Sequence, residues 1–164
     1  MIKGFIKIYD RDISRLKEEI EAFAKEENLW RVTGAVKNPA GNLCLHLVGN
    51  LRTYIGKNLG GFDYVRDRNA EFELKDISKH QLLSNVEDTK SIVISSLQKL
   101  DNTVLKHTYV EDVLGYSMTN GFFLIHLSAH LSYHLGQINY LRRMIDSSEG
   151  STLDTTRSRQ HGTA

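Results

Sequence analysis

Four segments of the chain carry apolar residues at spacings of three and four, the pattern of helices that bury one face. The sequence has 164 residues and one proline, Pro39, so long helices are permitted almost everywhere. We predict helices over residues 12–27, 41–59, 79–100 and 118–145. Four helices with a longer connection over 101–117 predict an all-α fold, a four-helix bundle with a long crossover connection.

Local signals mark the ends of these helices. Ser78 is predicted to cap the third helix, and Thr119 or Asn120 the fourth. The pair Gly60-Gly61 is typical of a helix C-terminus and closes the second helix. The charged and aromatic segment 62–76 is predicted to be an irregular loop over one end of the bundle.

The bundle is predicted to span residues 1–146. Residues 147–164 are rich in Ser, Thr, Gly and Arg, with almost no apolar content. Such a segment buries too little surface to offset the entropy of ordering, so we predict a disordered C-terminal tail.

Composition excludes several classes of function. Lys and Arg total 21 against 20 Asp and Glu, a net charge of +1, which argues against a nucleic-acid partner. No run approaches the ~20 apolar residues needed to span a bilayer, and no signal peptide is recognised, so no membrane partner and a cytoplasmic location are expected. The single cysteine, Cys44, cannot form an intrachain disulfide and is expected to be a buried thiol.

Three histidines on the predicted fourth helix recur every four residues: His126, His130 and His134. They span about 12 Å of helix rise, too far for one ion to bind all three. The ligand unit is therefore an adjacent pair, either 126 with 130 or 130 with 134. His46, in the middle of the second helix, is the candidate third ligand. The alternative is that these histidines are ordinary packed or hydrogen-bonded groups.

The stretch from His130 to Ile138, HLSYHLGQI, resembles the His-x-x-x-His-x-Gly-Gln motif that closes the last core helix of the DinB/YfiT-like metalloenzyme superfamily. The stretch from Asn42 to Asn50 looks like the second helix of that superfamily, which carries one histidine ligand. The resemblance covers residues 5–145 and is closest to a subgroup of proteins labelled by a domain of unknown function.

Carried over by position, the resemblance implies that His46, His130 and His134 bind one divalent metal ion. It gives His126 no ligand role, which leaves a supporting, pocket-lining or plain packing role. Gln137 would hydrogen-bond an imidazole or a metal-bound water, or alternatively cap backbone groups near the helix end. Leu135 stands where relatives often have a basic residue, so any binding of a substrate acid group by that residue is in doubt.

Three neutral imidazoles leave an open coordination position, as in catalytic metal sites. Zn or Ni is the expected metal, with Mn or Fe next. The resemblance implies a metal-dependent enzyme such as a low-molecular-weight-thiol S-transferase, in which the metal holds the thiol as thiolate. The alternatives are a metal-dependent hydrolase and a non-catalytic metal-binding, stress-response dimer. No Asp or Glu is clearly placed as a base; Glu111 and Asp112 merely precede the fourth helix.

The resemblance further implies a homodimer with a small-molecule substrate. Gly49, Gly56 and apolar residues of the first two helices are compatible with such an interface. Arg66 and Arg68, in the predicted loop, either bind an anionic substrate or lie in solvent. Tyr133 points about 100° away from His134 on the helix, so a packing role is expected.

Overall fold

The computed structural model describes residues 1–150 and confirms the all-α prediction. Its helices are α1 (Ile2–Glu21), α2 (Ala40–Leu51), α3 (Arg68–Glu73), α4 (Lys79–Gln98) and α5 (Asn120–Gly150). The four long ones form the bundle. Within the described range there is no β-strand, only an isolated antiparallel bridge between Thr108 and Thr119. No helix in that range is both long and apolar enough to cross a bilayer.

Helices α1 and α2 occupy diagonal corners of the bundle. Each packs more closely against α4 and α5 than against the other, and α4 and α5 fill the other two corners. The connections over residues 22–39 and 99–119 therefore both join helices across the bundle rather than between neighbours. This arrangement brings α2 and α5, the two helices that carry the candidate ligands, into direct contact.

The first helix is displaced from its predicted position. Helix α1 begins at Ile2, well before residue 12, and ends at Glu21. Three buried residues, Ile2, Phe5 and Tyr9, extend its apolar stripe toward the N-terminus. Gly4 weakens the helix by about 0.5–1 kcal/mol, which the burial of those side chains offsets. Residues Glu26–Trp30 form a 3-10 turn instead of the predicted last helical turn.

The predicted caps of the later helices are observed. Ser78 accepts a hydrogen bond from the backbone of Gln81 at 3.2 Å. At the start of α5, Thr119 Oγ1 accepts from the Phe122 backbone at 3.2 Å, whereas Asn120 donates to the Val104 carbonyl. Thr119 is therefore the capping residue of α5.

Helix α5 continues through residues 147–150, past the predicted end of the bundle at 146. The tail predicted over 147–164 otherwise falls, from residue 151 onward, outside the described residues.

The segment after α2 differs most from prediction. The helix continues from Arg52 to Lys57 with the wider hydrogen-bonding pattern of a π-helix. The predicted irregular loop over 62–76 contains α3, whose N-cap Asp67 accepts from the Ala70 backbone at 3.0 Å. Asn42 ties α3 to α2, because its Nδ2 donates to the carbonyls of Glu71 and Leu74 at 2.9 and 2.8 Å. The consequence is that Glu71 lies against α2.

Candidate metal centre

Three imidazoles converge where α2 meets α5. His46 Nε2 lies 3.3 Å from His130 Nε2, and His134 Nε2 lies 3.1 Å from the same atom. The facing atoms of the three residues all lie within 4.8 Å of one another. Nitrogen ligands at about 2.0–2.1 Å from a tetrahedral ion are separated by about 3.3 Å. The spacing therefore suits one metal ion.

Hydrogen bonds fix the orientation of two of these rings. His46 Nδ1 lies 3.0 Å from Glu71 Oε2, and His134 Nδ1 lies 2.6 Å from Gln137 Oε1. Both partners are oxygens that accept, so each Nδ1 carries the proton and donates. The Nε2 lone pairs of His46 and His134 consequently face the centre, as they do in metal sites whose histidines are held from behind.

His130 supplies an independent test of the fit. Its Nδ1 is buried and has no hydrogen-bond partner within the described part of the chain. A proton on Nδ1 would lack an acceptor, and a proton on Nε2 could serve only one of the two neighbouring lone pairs. A cation at the centre is bound by all three Nε2 atoms at once. The donor set therefore fits a transition-metal ion.

The protonation states agree with this arrangement. Burial, together with the neighbouring His134 and His46, lowers the pKa of His130 to about 4. Burial also lowers the pKa of His134, although its hydrogen bond to Gln137 acts in the opposite direction. Both rings are neutral at pH 7, which is the form that binds metal.

These shifts predict how the stability of the metal-free protein depends on pH. Since the pKa of His130 is about 4 in the folded state and about 6.5 when unfolded, the unfolded chain binds more protons between those values. The free energy of unfolding is therefore expected to fall as the pH is lowered from 7 to 5. Urea denaturation across this range measures it, and His130→Gln should flatten the dependence. An equally steep dependence in His130→Gln would contradict the assignment.

Glu71 supports His46 and is itself held by an arginine. Arg66 donates to the two carboxylate oxygens from Nε at 2.6 Å and from Nη2 at 2.8 Å. Burial raises the pKa of Glu71, but the hydrogen bonds from His46 and Arg66 outweigh it and hold the pKa below its usual value. The carboxylate is thus ionised, which makes the imidazole that donates to it a stronger ligand.

Sequence reasoning missed Glu71. The segment around it has no long apolar periodicity, so it was predicted to be a loop without a placed carboxylate. The available signal was Asp67, a good N-cap residue, at the start of a short helix. The solvated-loop interpretation is wrong for Arg66, which pairs with Glu71, whereas Arg68 is exposed.

The other residues singled out in the sequence lie around the histidine triad. Gln137 hydrogen-bonds His134, the first of its two predicted roles. His126 stacks on Phe123 and lies outside the group of converging ligand atoms. Tyr133 is 64% exposed and meets the edge of His134, so it does not pack in the core.

Cys44 is a buried thiol as expected, and burial raises its pKa to about 12. Glu111 accepts a hydrogen bond from Asn58 rather than belonging to the triad.

Two glycines singled out for a dimer interface face inward. A Cβ built on Gly49 would overlap Glu71 Oε1, and one built on Gly56 would lie 2.7 Å from Ile92 Cγ2. Both glycines therefore allow close approach within the chain, and they offer no surface to a second copy. The homodimer itself stays a prediction.

Comparison with known proteins agrees with this fold. The chain is similar to a DinB-like protein from Bacillus cereus ATCC 10987 whose crystal structure was solved at 2.01 Å, with a TM-score of 0.70. The two share 17% sequence identity over 87% of this chain and 91% of the other, so the likeness concerns the fold. No curated protein matches the chain.

The model of one protein family, described as a protein of unknown function (DUF1572), matches residues 3–159. This match confirms the predicted resemblance to proteins labelled by a domain of unknown function, and the structural likeness shows that the fold is DinB-like. The chain therefore belongs to the DUF1572 family.

Proposed function

We propose that His46, His130 and His134 bind one divalent transition metal ion, with Zn or Ni as the first choices. The observation that carries this proposal is the convergence of three Nε2 atoms, with two of the rings oriented by hydrogen bonds that they donate to Glu71 and Gln137. Imidazole suits Zn, Ni, Cu and Fe. Three protein ligands leave a coordination position for an exogenous molecule, as in catalytic sites.

A substrate can approach the triad from a cavity beside His134. This cavity has a volume of about 400 Å³, within the usual range of about 300–1,000 Å³ for small-molecule sites. Apolar side chains form most of its wall: Val36, Leu43, Tyr133, Tyr140, Leu141 and Met144. Lys37, Asn38 and Gln137 add polar groups. The lining favours a small organic molecule with an apolar body.

We infer that the reaction is the transfer of a low-molecular-weight thiol onto such a substrate. A bound divalent ion would lower the pKa of a thiol at its open position. Two cavities reach the triad, one at His134 and a second at His46 and His130. A transfer between two molecules needs two sites, whereas hydrolysis needs one.

The state of Glu71 also favours transfer over hydrolysis. Its two oxygens already accept hydrogen bonds from Arg66 and His46, so it is not free to act as a general base. Nucleophilic attack by a thiolate needs no further base once the thiol is deprotonated.

The test is a pair of assays on protein loaded with Zn²⁺ or Ni²⁺. We expect metal-dependent conjugation of a small thiol to a chromogenic aryl halide, and loss of that activity in His130→Ala. Hydrolysis of a nitrophenyl ester without any thiol dependence would favour the hydrolase alternative. Full metal occupancy without turnover in either assay would favour the non-catalytic metal-binding alternative.

A further inference from the structure

The cavity that reaches His46 and His130 differs in character from the apolar one. Its volume is about 240 Å³, below the usual range for larger organic ligands. Polar and cationic side chains line one part of it: Asn50, Arg66, Arg68 and His126. No Asp or Glu lines it among the described residues.

Asn50 is a buried amide without a partner. It lies four residues after His46, on the same face of α2, and is 7% exposed. Its Oδ1 is fully buried and unpaired, and its side chain makes no hydrogen bond within the described range. A buried polar group left unsatisfied costs about 1–3 kcal/mol. Asn50 is also one of the residues that line the cavity, so its amide is near any molecule bound there.

The other polar side chains that line this cavity have hydrogen-bond donors that are not used within the described part of the chain. Arg66 uses Nε and Nη2 for Glu71, which leaves Nη1. Arg68 has no carboxylate partner within residues 1–150. His126 stacks parallel to Phe123 at 5.8 Å, and neither ring nitrogen is hydrogen-bonded there. Arg68 and His126 are donors without a balancing carboxylate, and such donors favour a negatively charged group.

We propose that this cavity binds the carboxylate of a small organic acid whose other end reaches the centre of the histidine triad. The proposal rests on the metal site proposed above and adds the substrate class. Arg68 and His126 donate hydrogen bonds to the carboxylate, and Asn50 donates to the same molecule from Nδ2, since only the amide nitrogen is a donor. In a thiol transfer, the anionic molecule would be the thiol, because the cavity that binds it is lined by two of the three proposed metal ligands, His46 and His130.

Two thiols of similar size, one charged and one neutral, test the proposal. The visible absorption of Co²⁺-loaded protein reports thiol binding during titration with mercaptoacetate or with mercaptoethanol. Wild-type protein is expected to bind mercaptoacetate about tenfold more tightly. Arg68→Gln should remove most of that preference and leave mercaptoethanol binding unchanged. Arg143→Gln, which removes an exposed arginine outside this cavity, should leave both affinities unchanged.

A second variant separates ligand binding from folding. Asn50→Leu removes the unsatisfied amide, so it should raise the melting temperature of the free protein while weakening mercaptoacetate binding several-fold. A lower melting temperature with unchanged binding would show that the amide is structural and would overturn its role.

The outcomes distinguish this proposal from the one on which it rests. Failure of Co²⁺ to bind the triad would overturn the metal site and this proposal together. Bound Co²⁺ with an undiminished mercaptoacetate preference in Arg68→Gln would show chelation alone and overturn only the carboxylate site. A Co²⁺ spectrum unchanged by both thiols would also overturn it.

Discussion

His130→Ala is expected to reduce the affinity for Zn²⁺ by more than about 100-fold, because groups that merely support a ligand already contribute about 10–100-fold. His130 is the central ligand: its Nε2 lies 3.3 Å from that of His46 and 3.1 Å from that of His134. Its removal leaves two imidazoles on different helices. Elemental analysis of protein purified without a metal-affinity tag, followed by competition with a chromogenic chelator, measures the loss.

His126→Ala is the matched control for this experiment. It removes the same side chain from the same helix, one turn away, and His126 contacts His130 only by stacking at 6.3 Å between ring centroids. Full occupancy is expected in this variant. His130 belongs to both candidate pairs, so an empty site in His126→Ala with a filled site in His134→Ala would reverse the choice of ligand pair.

The bundle could be predicted because a helix that buries one face has apolar residues at regular spacings in the sequence. The stripes of α2, α4 and α5 repeat every three to four residues, and each helix lies close to its predicted place. The first helix was misplaced because lysines and Gly4 dilute the pattern around Ile2, Phe5 and Tyr9. Only packing against α4 and α5 shows that those three residues are buried.

Contacts in the candidate site between residues close in sequence could be predicted, whereas contacts between residues distant in sequence could not. His130 and His134 are one turn apart, so helical geometry alone brings them together. His46 lies 84 residues from His130 in sequence; its position in the middle of the second helix made it a candidate, and the family resemblance implied the same role, but spacing could not show that the two rings meet. Glu71 lies 25 residues from His46 in a segment without periodicity. Its position depends on Asn42, which holds α3 against α2, and that is a tertiary contact.

Glu71→Ala is expected to weaken Zn²⁺ binding by about 10–100-fold and to destabilise the metal-free protein by about 2–3 kcal/mol. The substitution leaves His46 Nδ1–H without its acceptor and the Arg66 guanidinium without its carboxylate, although both lie in a nearly buried setting. Chelator competition measures the affinity, and urea denaturation measures the stability. Glu71→Gln keeps an oxygen that can accept the hydrogen bond from His46. It should therefore lose less Zn²⁺ affinity and less stability than Glu71→Ala. Equal metal affinity in all three proteins would show that Glu71 serves only the packing of α3.

Gly49→Ala displaces the same carboxylate without removing a charge. The new methyl group would overlap Glu71 Oε1, so the carboxylate must shift from the position in which it contacts Arg66 and His46. Gly49→Ala is therefore expected to weaken Zn²⁺ binding, as Glu71→Ala does. Gly4→Ala is the matched control, since a Cβ there meets nothing within 4 Å and should stabilise α1 by about 0.5–1 kcal/mol. Unchanged affinity in Gly49→Ala, with a normal melting temperature, would mean that the position of Glu71 does not govern the metal site.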